Sequence, residues 1–229
     1  WDEIYDQFGV QGFLSGNTGT QAGGWFRNEL TSLDDIKGVR FRTPGLGGRV
    51  WEKLGATVTN MAAGEIFQAL QSGTLDAAEF VGPYNDLALG FHQVAKNYYM
   101  PSFVEPGLAT ELVVDKKKYQ DLPEDLQAII RDVSQAEYDQ VAADFVANDP
   151  RALKTLVEEH GVIVRKFPDD IMEAGAKASV EVVEELRNSD DPLVKKTANS
   201  FVEALNLVRT RTEQIDAPFV QAREKYLKY

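Results

Sequence analysis

The spacing of hydrophobic and polar positions changes repeatedly over residues 24–115. Residues 39–42 alternate apolar and basic side chains, which predicts a strand, and residues 75–81 predict another. Residues 43–48 are glycine-rich and predict a break before a helix from Arg49 to Leu54, while residues 65–71 predict a helix that Ser72-Gly73 ends. Strands and helices that alternate at this spacing favour an α/β fold.

Beyond Asp115 the pattern is almost entirely helical. Residues 192–229 predict one long helix, which Pro218 should bend because proline removes a backbone donor. Apolar or small residues recur there in steps of three and four, a heptad stripe. Two interpretations stay open, because this stripe packs either across the chain's own lobes or on a second copy. Its members are Val194, Ala198, Phe201, Leu205, Val208, Thr212, Ile215, Phe219, Ala222 and Tyr226.

Composition narrows the range of functions. A net charge of −12 argues against nucleic acid and against anionic membranes, both of which attract clustered lysine and arginine. Cysteine is absent, so thiol chemistry and disulfides are excluded, and the two histidines lie far apart in the sequence. No run of about 20 apolar residues predicts a membrane span. The chain opens at Trp1 in a helical pattern and without a signal peptide, as expected of a mature or a partial chain.

Arg42 is the first candidate for ligand binding. It ends a predicted strand directly before the glycine-rich turn, and ligands in open α/β sheets bind outside the carboxyl ends of strands. A guanidinium can hold a carboxylate with two parallel hydrogen bonds. The alternative is a solvated strand residue like Arg40. The turn itself matches neither a Walker loop nor a dinucleotide fingerprint, so no organic cofactor is predicted.

Glu79 is the second candidate, because it lies in a mostly apolar strand pattern. A buried carboxylate must be paired or must hold a cation, although Glu79 could also face water. Gln21 could supply an amide oxygen, but a surface glutamine is the commoner case. The aromatic candidates belong to the core unless they lie beside a pocket, and they are Trp25, Phe67, Phe80, Tyr84 and Phe103.

Three runs of sequence together resemble the solute receptors of tripartite ATP-independent periplasmic (TRAP) transporters. They read LDDIKGVRFRTPG at 33–45, GEIFQALQSGTLDA at 64–77 and EFVGPYND at 79–86. The third resembles the branch that binds 2-oxo acids and related monocarboxylates with a metal ion. The resemblance implies a two-lobed α/β fold like that of periplasmic binding proteins, with a long, bent C-terminal helix.

The resemblance also implies roles for individual residues. Arg42 would pair with the ligand carboxylate, while Gln21, Glu79 and the backbone carbonyl of Phe80 would coordinate Na⁺ or Ca²⁺. Trp25, Tyr84 and Phe67 would complete the substrate site. The sequence departs from the branch at Phe80, where tryptophan is frequent, and at residues 102–105, where an aromatic-rich string is frequent. These departures alter the size of the pocket.

The implied organisation has five segments. Residues 1–22 belong to the first lobe, 23–80 form the α/β core of the second, 81–105 return to the first, 106–191 complete the second with helical segments, and 192–229 span both. Family members carry about a hundred residues before the position of Trp1, a length typical of such lobes. The implied location is the periplasm, after export.

We therefore expect a binding protein and not an enzyme. It would capture a small organic carboxylate and deliver it to TRAP permease membrane subunits, without inserting into the membrane itself. A homodimer formed through the C-terminal helix would be compatible with this function. Two alternatives remain, namely a receptor that feeds a membrane sensor and an enzyme that acts on keto acids. The absence of cysteine, the two distant histidines and the lack of a cofactor loop disfavour the enzyme.

Overall fold

The structure, a computed structural model, describes residues 1–227. The chain forms two compact units, Trp1–Ser179 and the segment that begins at Val180. This division does not test the five-segment organisation, which stays a prediction. Among the described helices, none has the length and apolar character that a membrane span requires.

The described residues form eight strands and nine α-helices. The strands are β1 Val10–Asn17, β2 Gly24–Phe26, β3 Arg40–Arg42, β4 Thr57–Thr59, β5 Ala77–Ala78, β6 Asn97–Tyr99, β7 Ala109–Asp115 and β8 Ile163–Arg165. The helices are α1 Asp2–Asp6, α2 Gly45–Lys53, α3 Ala63–Ser72, α4 Pro83–Leu89, α5 Lys116–Gln120, α6 Glu124–Glu158, α7 Asp169–Arg187, α8 Pro192–Arg211 and α9 Ala217–Tyr226. Short 3₁₀ turns lie at Leu33–Ile36 and Phe91–Gln93.

Six strands of the first unit form one mixed sheet in the order β4-β3-β5-β2-β6-β8. The pairs β3–β4, β3–β5 and β6–β8 are parallel, whereas β2 runs antiparallel to β5 and β6. The α/β fold class predicted from the sequence is confirmed. The carboxyl ends of β3 and β5 therefore meet at one edge of the sheet.

A buried polar network fastens helix α4 to this sheet. The carboxylate of Asp86, on α4, accepts hydrogen bonds from Trp25 Nε1 on β2 at 2.8 Å and from the Tyr98 hydroxyl on β6 at 2.7 Å. The rings of Trp25 and Tyr98 are stacked with centroids 4.0 Å apart. All three residues are buried, so the network fixes where the chain leaves β5 and enters α4.

A second sheet pairs β1 and β7 antiparallel, with an irregularity in register between Leu14 and Gly16. The long helix α6 packs on both of these strands and also on α4. The backbone amide of Tyr84, in α4, donates to Asp149 of α6 at 2.9 Å. Helix α6 thus connects the second sheet with the helix that follows β5.

The predicted break at residues 43–48 is confirmed only at residues 43–44, because residues 45–48 are helical. Helix α2 begins at Gly45, after Pro44, and not at Arg49. The glycines serve close packing instead. A Cβ atom at Gly48 would lie 3.0 Å from Val58 on β4, and one at Gly47 would lie 3.3 Å from Val104.

The strand predicted at residues 75–81 is shorter than expected. Only Ala77–Ala78 pair as β5, and the chain turns into α4 at Pro83. Proline has no amide hydrogen, so it favours a helix start and cannot extend a sheet ladder. The early end of β5 leaves Glu79 and Phe80 at the carboxyl edge of the sheet.

The C-terminal segment is a long helix, as predicted, but it is not uniform. A π-helical turn, Thr212–Asp216, separates α8 from α9, and Pro218 lies in the first turn of α9. The irregularity precedes the proline that was expected to bend the helix. Residues 228–229, which the predicted helix includes, lie outside the described part of the chain.

Candidate functional site

Two parallel strands bring Arg42 and Glu79 together. Arg42 is the last residue of β3 and is paired in register with Ala78, the last residue of β5. The amide of Glu79 continues the ladder by donating to the carbonyl oxygen of Arg42 at 2.9 Å. Both side chains therefore start from the carboxyl edge of the sheet, where open α/β sheets bind ligands.

Arg42 is buried, with 7% of its surface exposed, so the alternative of a solvated strand residue is wrong. Its Nε donates to the carbonyl oxygen of Met61 at 3.0 Å, and its Nη1 donates to that of Glu79 at 2.6 Å. Neither bond uses Nη2. Burial lowers the pKa of Arg42, although arginine stays charged in proteins. The site thus holds a fixed positive charge with hydrogens left to donate.

Arg40 shows what a solvated strand arginine looks like in this chain. Its side chain is about half exposed and forms two hydrogen bonds with the carboxylate of Asp76, at 2.7 and 2.5 Å. The two arginines of β3 are two residues apart and lie on the same face of the strand. They differ because Arg42 lies at the strand end, where Met61 and Glu79 cover it.

Glu79 is 1% exposed, so the alternative in which it faces water is wrong. Its Oε2 accepts a hydrogen bond from Thr43 Oγ1 at 3.2 Å and lies 4.0 Å from Arg42 Nη1. Its Oε1 has no hydrogen-bond partner within residues 1–227. Burial and, after it, the charge of Glu105 raise the pKa of Glu79 to about 8, although the charge of Arg42 opposes this rise. An uncompensated carboxylate of this kind favours a cation.

Gln21 is also buried, at 3% exposure, and is not the surface glutamine that was the commoner expectation. Its Nε2 donates to Thr18 Oγ1 at 2.9 Å, which points Oε1 the other way, and Oε1 lacks a partner among the residues described. The backbone beside it is tied to the loop after β5, because the amide of Ala22 donates to Val81 at 2.9 Å. Gln21 therefore lies in the connection between β1 and β2, next to a residue that is hydrogen-bonded to the segment after β5.

These oxygens suit a hard cation. Amide, carboxylate and carbonyl oxygens are the donors that Na⁺ and Ca²⁺ accept. Two such oxygens, Gln21 Oε1 and Glu79 Oε1, are buried and have no hydrogen-bond partner in the described part of the chain. Within residues 1–227, no group of three or more His, Cys, Asp or Glu side chains could hold a metal by itself. Oxygens from a ligand, from backbone carbonyls or from water could complete the shell of a cation here.

The five aromatic candidates occupy different surroundings, and the ring of Phe103 packs against those of Trp51 and Phe167. The ring of Phe80 lies 5.6 Å from Arg42 Cζ, within the range of a cation–π contact. Phe67 is partly buried on α3, close to Gly90. Trp25 is fully buried in the core, and Tyr84 is 47% exposed with its ring against Phe145. The structure brings Phe80 to Arg42, and it places Trp25 in the core, on β2 opposite Ala78.

Some residues of the site were not predicted as site residues. Thr43 donates to Glu79, the Met61 carbonyl oxygen orients Arg42, and the charge of Glu105 acts on both Arg42 and Glu79. Thr43 is adjacent to Arg42 in the sequence, so its position could have indicated the role. Glu105 lies in residues 102–105, where the sequence departs from the family pattern, but only the fold shows that this segment returns to Arg42.

The two histidines, which are distant in the sequence, are neighbours in the structure. The rings of His92 and His160 are stacked with centroids 4.1 Å apart. Burial, His160 and Lys96 lower the pKa of His92. The pair holds the 3₁₀ turn after α4 against the end of α6 and lies outside the ligand site built on Arg42.

A buried arginine at the carboxyl ends of parallel strands, where open α/β sheets bind ligands, is an arrangement that suits the binding of a small anion. The chain belongs to the DctP family, the bacterial extracellular solute-binding proteins of family 7, and matches it over residues 3–190. The resemblance seen in the sequence is confirmed.

Three relatives show how close this likeness is. A monocarboxylate 2-oxoacid-binding periplasmic protein of Nostoc sp. (strain PCC 7120) is 37% identical over 188 residues, 82% of this chain. A TRAP periplasmic solute binding protein from Pseudoalteromonas atlantica, solved with sodium and pyruvate, is 36% identical with a TM-score of 0.91 over 96% of this chain. One from Colwellia psychrerythraea, solved with calcium and pyruvate, is 37% identical with the same TM-score of 0.91 and the same coverage of 96%.

The chain does not span these relatives in full. It covers 51% of the Nostoc protein and 67% of each of the two solved chains. The described residues contain the edge of the sheet where Arg42, Glu79 and Gln21 lie.

Proposed function

We propose that this protein captures a small monocarboxylate, a 2-oxo or 2-hydroxy acid, together with a cation. The observation that carries the proposal is the buried guanidinium of Arg42 together with two buried oxygens, Gln21 Oε1 and Glu79 Oε1, that have no hydrogen-bond partner within residues 1–227. A carboxylate satisfies the guanidinium, and a cation satisfies the oxygens. The relatives that bind pyruvate with sodium or calcium support this choice of ligand.

In this proposal each residue has a defined part. Arg42 donates to the ligand carboxylate from the hydrogens that Met61 and Glu79 leave free. Glu79, Gln21 and the carbonyl oxygen of Phe80 hold the cation, which supplies positive charge to the carboxylate and to the neighbouring oxo or hydroxy oxygen. The ring of Phe80 packs against the guanidinium and limits the size of the ligand.

The proposal extends to transport. Closure of two lobes would exclude water and strengthen both charge contacts, because electrostatic attraction increases when the local dielectric falls. The closed form would then deliver the ligand to the membrane subunits of a TRAP permease from the periplasm. The protein's family and its structural neighbours are solute-binding receptors, so we propose capture without chemical turnover.

Calorimetry with pyruvate tests the proposal. Protein treated with a chelator and dialysed into a sodium-free buffer should bind pyruvate weakly, and adding Ca²⁺ or Na⁺ should restore binding. The Glu79→Gln variant should lose most of this cation dependence, whereas Glu137→Gln, the same change at an exposed position of α6, should bind as the wild type does. If no 2-oxo or 2-hydroxy acid bound under any of these conditions, the proposed function would be wrong.

A further inference from the structure

The backbone of Gln21 is held on both sides by hydrogen bonds. Its backbone amide donates to the carbonyl oxygen of Pro106 at 3.0 Å, and its carbonyl oxygen accepts from the backbone amide of Ser102 at 2.9 Å. Both partners lie in the segment between β6 and β7. These bonds fix the place of the residue, but they do not decide which way its side-chain amide turns.

The hydroxyl of Thr18 contacts that side-chain amide. Thr18 is buried, and its Oγ1 accepts a hydrogen bond from Gln21 Nε2 at 2.9 Å. The same Oγ1 accepts from the backbone amide of Leu108 at 3.0 Å, and the backbone amide of Thr18 donates to the carbonyl oxygen of Leu108 at 3.0 Å. Thr18 therefore connects the Gln21 side chain to the segment that enters β7.

The hydrogen and lone pairs of the hydroxyl determine how the amide is oriented. A hydroxyl group has one hydrogen and two lone pairs. The Thr18 hydroxyl donates to a carbonyl oxygen, that of Gly19 at 3.1 Å or that of Leu108 at 3.5 Å, and the Leu108 amide uses one lone pair. The other lone pair requires a donor, which Gln21 Nε2 supplies and Oε1 cannot. Because both side chains are buried, a mismatch here would be costly.

We infer that Thr18 is a positioning residue of the ligand site, because its hydroxyl turns the Gln21 amide so that Oε1, and not the NH₂ group, is offered to the cation. The inference rests on the proposed function and deepens it. Oε1 is buried and has no hydrogen-bond partner within residues 1–227, as expected of an oxygen that is kept for a ligand. A flipped amide would direct N–H donors at a positive ion and repel it.

Calorimetry with pyruvate and CaCl₂ tests the hydroxyl. Thr18→Val keeps the shape of the side chain but loses the hydroxyl, and it should bind pyruvate about tenfold more weakly, as is typical when the group that orients a metal ligand is removed. Thr18→Ser keeps the hydroxyl and should retain most of the affinity. Thr57→Val makes the same change at an exposed position of β4 and should bind as the wild type does. Equal affinity of Thr18→Val and the wild type would overturn the inference.

A double-mutant cycle shows whether the effect passes through Gln21. Gln21→Ala removes the side-chain amide, so Thr18→Val added to it should weaken binding no further. A second loss of about tenfold in the double variant would mean that Thr18 acts on the fold of the segment and not on Gln21, and the inference would be wrong.

Nuclear magnetic resonance gives a readout that needs neither pyruvate nor a cation. The protein is labelled with ¹⁵N in its glutamine side chains, treated with a chelator and dialysed into a sodium-free buffer, and Gln21→Ala identifies the Gln21 signal. The Nε2 hydrogens should exchange with solvent about tenfold faster in Thr18→Val than in the wild type or Thr18→Ser. Unchanged exchange in Thr18→Val would contradict the role of the hydroxyl. If Thr18→Val does not fold, the smaller Thr18→Ala takes its place.

Failure of the proposed function would look different. In that case the wild type would bind no 2-oxo or 2-hydroxy acid with either cation, and the inference would fall with the function. Binding of pyruvate by the wild type and by Thr18→Val with equal affinity would instead retain the proposed function and reject the role of Thr18.

Discussion

Arg42 is joined to Glu79 through a backbone oxygen and not through the carboxylate. Nη1 of Arg42 lies 2.6 Å from the carbonyl oxygen of Glu79 but 4.0 Å from its Oε2. In a close ion pair between the two side chains, each charge would neutralise the other. The backbone link instead positions the guanidinium and keeps the carboxylate available for another cation.

The first prediction concerns the arginine. Arg42→Ala should abolish measurable pyruvate binding, and Arg42→Lys should weaken it on the order of a hundredfold, because lysine lacks the planar fork that donates two bonds. Calorimetry gives the affinities. Arg40→Ala is the matched control, since Arg40 pairs with Asp76 at the surface and should leave binding unchanged. An unaltered affinity in Arg42→Ala would refute the anchor role.

The second prediction concerns Gly24, which precedes Trp25 on β2. Its φ of +125° disfavours a side chain, and a Cβ atom would lie 2.9 Å from the carbonyl oxygen of Ala78 and 3.2 Å from Glu79 Cα. Gly24→Ala should cost about 1–3 kcal/mol of unfolding free energy and weaken ligand binding by displacing Glu79.

Urea denaturation and calorimetry together check this prediction. Gly64→Ala is the control, because no atom lies within 4 Å of a Cβ atom at Gly64, which is in helix α3. That change should be neutral or stabilise by up to about 1 kcal/mol. The interpretation fails if both variants unfold at the same denaturant concentration.

The third prediction concerns the buried network at Asp86. Asp86→Ala leaves Trp25 Nε1 and the Tyr98 hydroxyl without their acceptor, which should cost about 2–5 kcal/mol. Asp139→Ala removes a carboxylate from an exposed position of α6 and should change stability by less than about 0.5 kcal/mol. Equal stability of the two variants would contradict the role of the network.

The fourth prediction is a pH dependence with a definite sign. Burial raises the pKa of Asp86 from 3.8 to about 6, so the folded protein retains this proton at higher pH than the unfolded chain does. The stabilisation that comes from protonating Asp86 is fully present below about pH 4 and is lost as the pH rises through about 6. The unfolding free energy changes by at most about 3 kcal/mol over this range.

A variant isolates this contribution from the other acids. Asp86→Asn cannot titrate, so the difference in unfolding free energy between wild type and variant should change between about pH 4 and pH 6 and stay constant above that range. Denaturation at a series of pH values measures the difference. Parallel curves for the two proteins would exclude a raised pKa at Asp86.

The fifth prediction concerns self-association through the C-terminal helix. Phe201, Leu205, Val208 and Phe219 are each more than half exposed, and apolar side chains of this size favour a covering partner. We predict a homodimer, and Leu205→Glu should shift it towards monomer in sedimentation velocity. Asn206→Glu introduces the same charge at the neighbouring polar position and should leave the association intact. A monomeric wild type at micromolar concentration would oppose the prediction.

The sequence predicted the parts of the site that depend on local pattern. Alternation at residues 39–42 located β3 and hence the strand end at Arg42, and the family resemblance singled out Glu79 and Gln21. The start of helix α2 at Gly45 was not predicted, because its glycines allow close packing against Val58 and Val104, which are distant in the sequence. The roles of Asp86 and Glu105 were not predicted for the same reason, because their partners come from other strands and loops.

The π-helical turn at Thr212–Asp216 has a geometric consequence for the heptad stripe. A π turn takes in about one residue more than an α turn, and each residue advances a helix by about 100°. Phe219 and Tyr226 consequently point along a different azimuth from Leu205 and Val208. The helix therefore carries two separate apolar patches, and a straight partner helix packed on one of them would not contact the other.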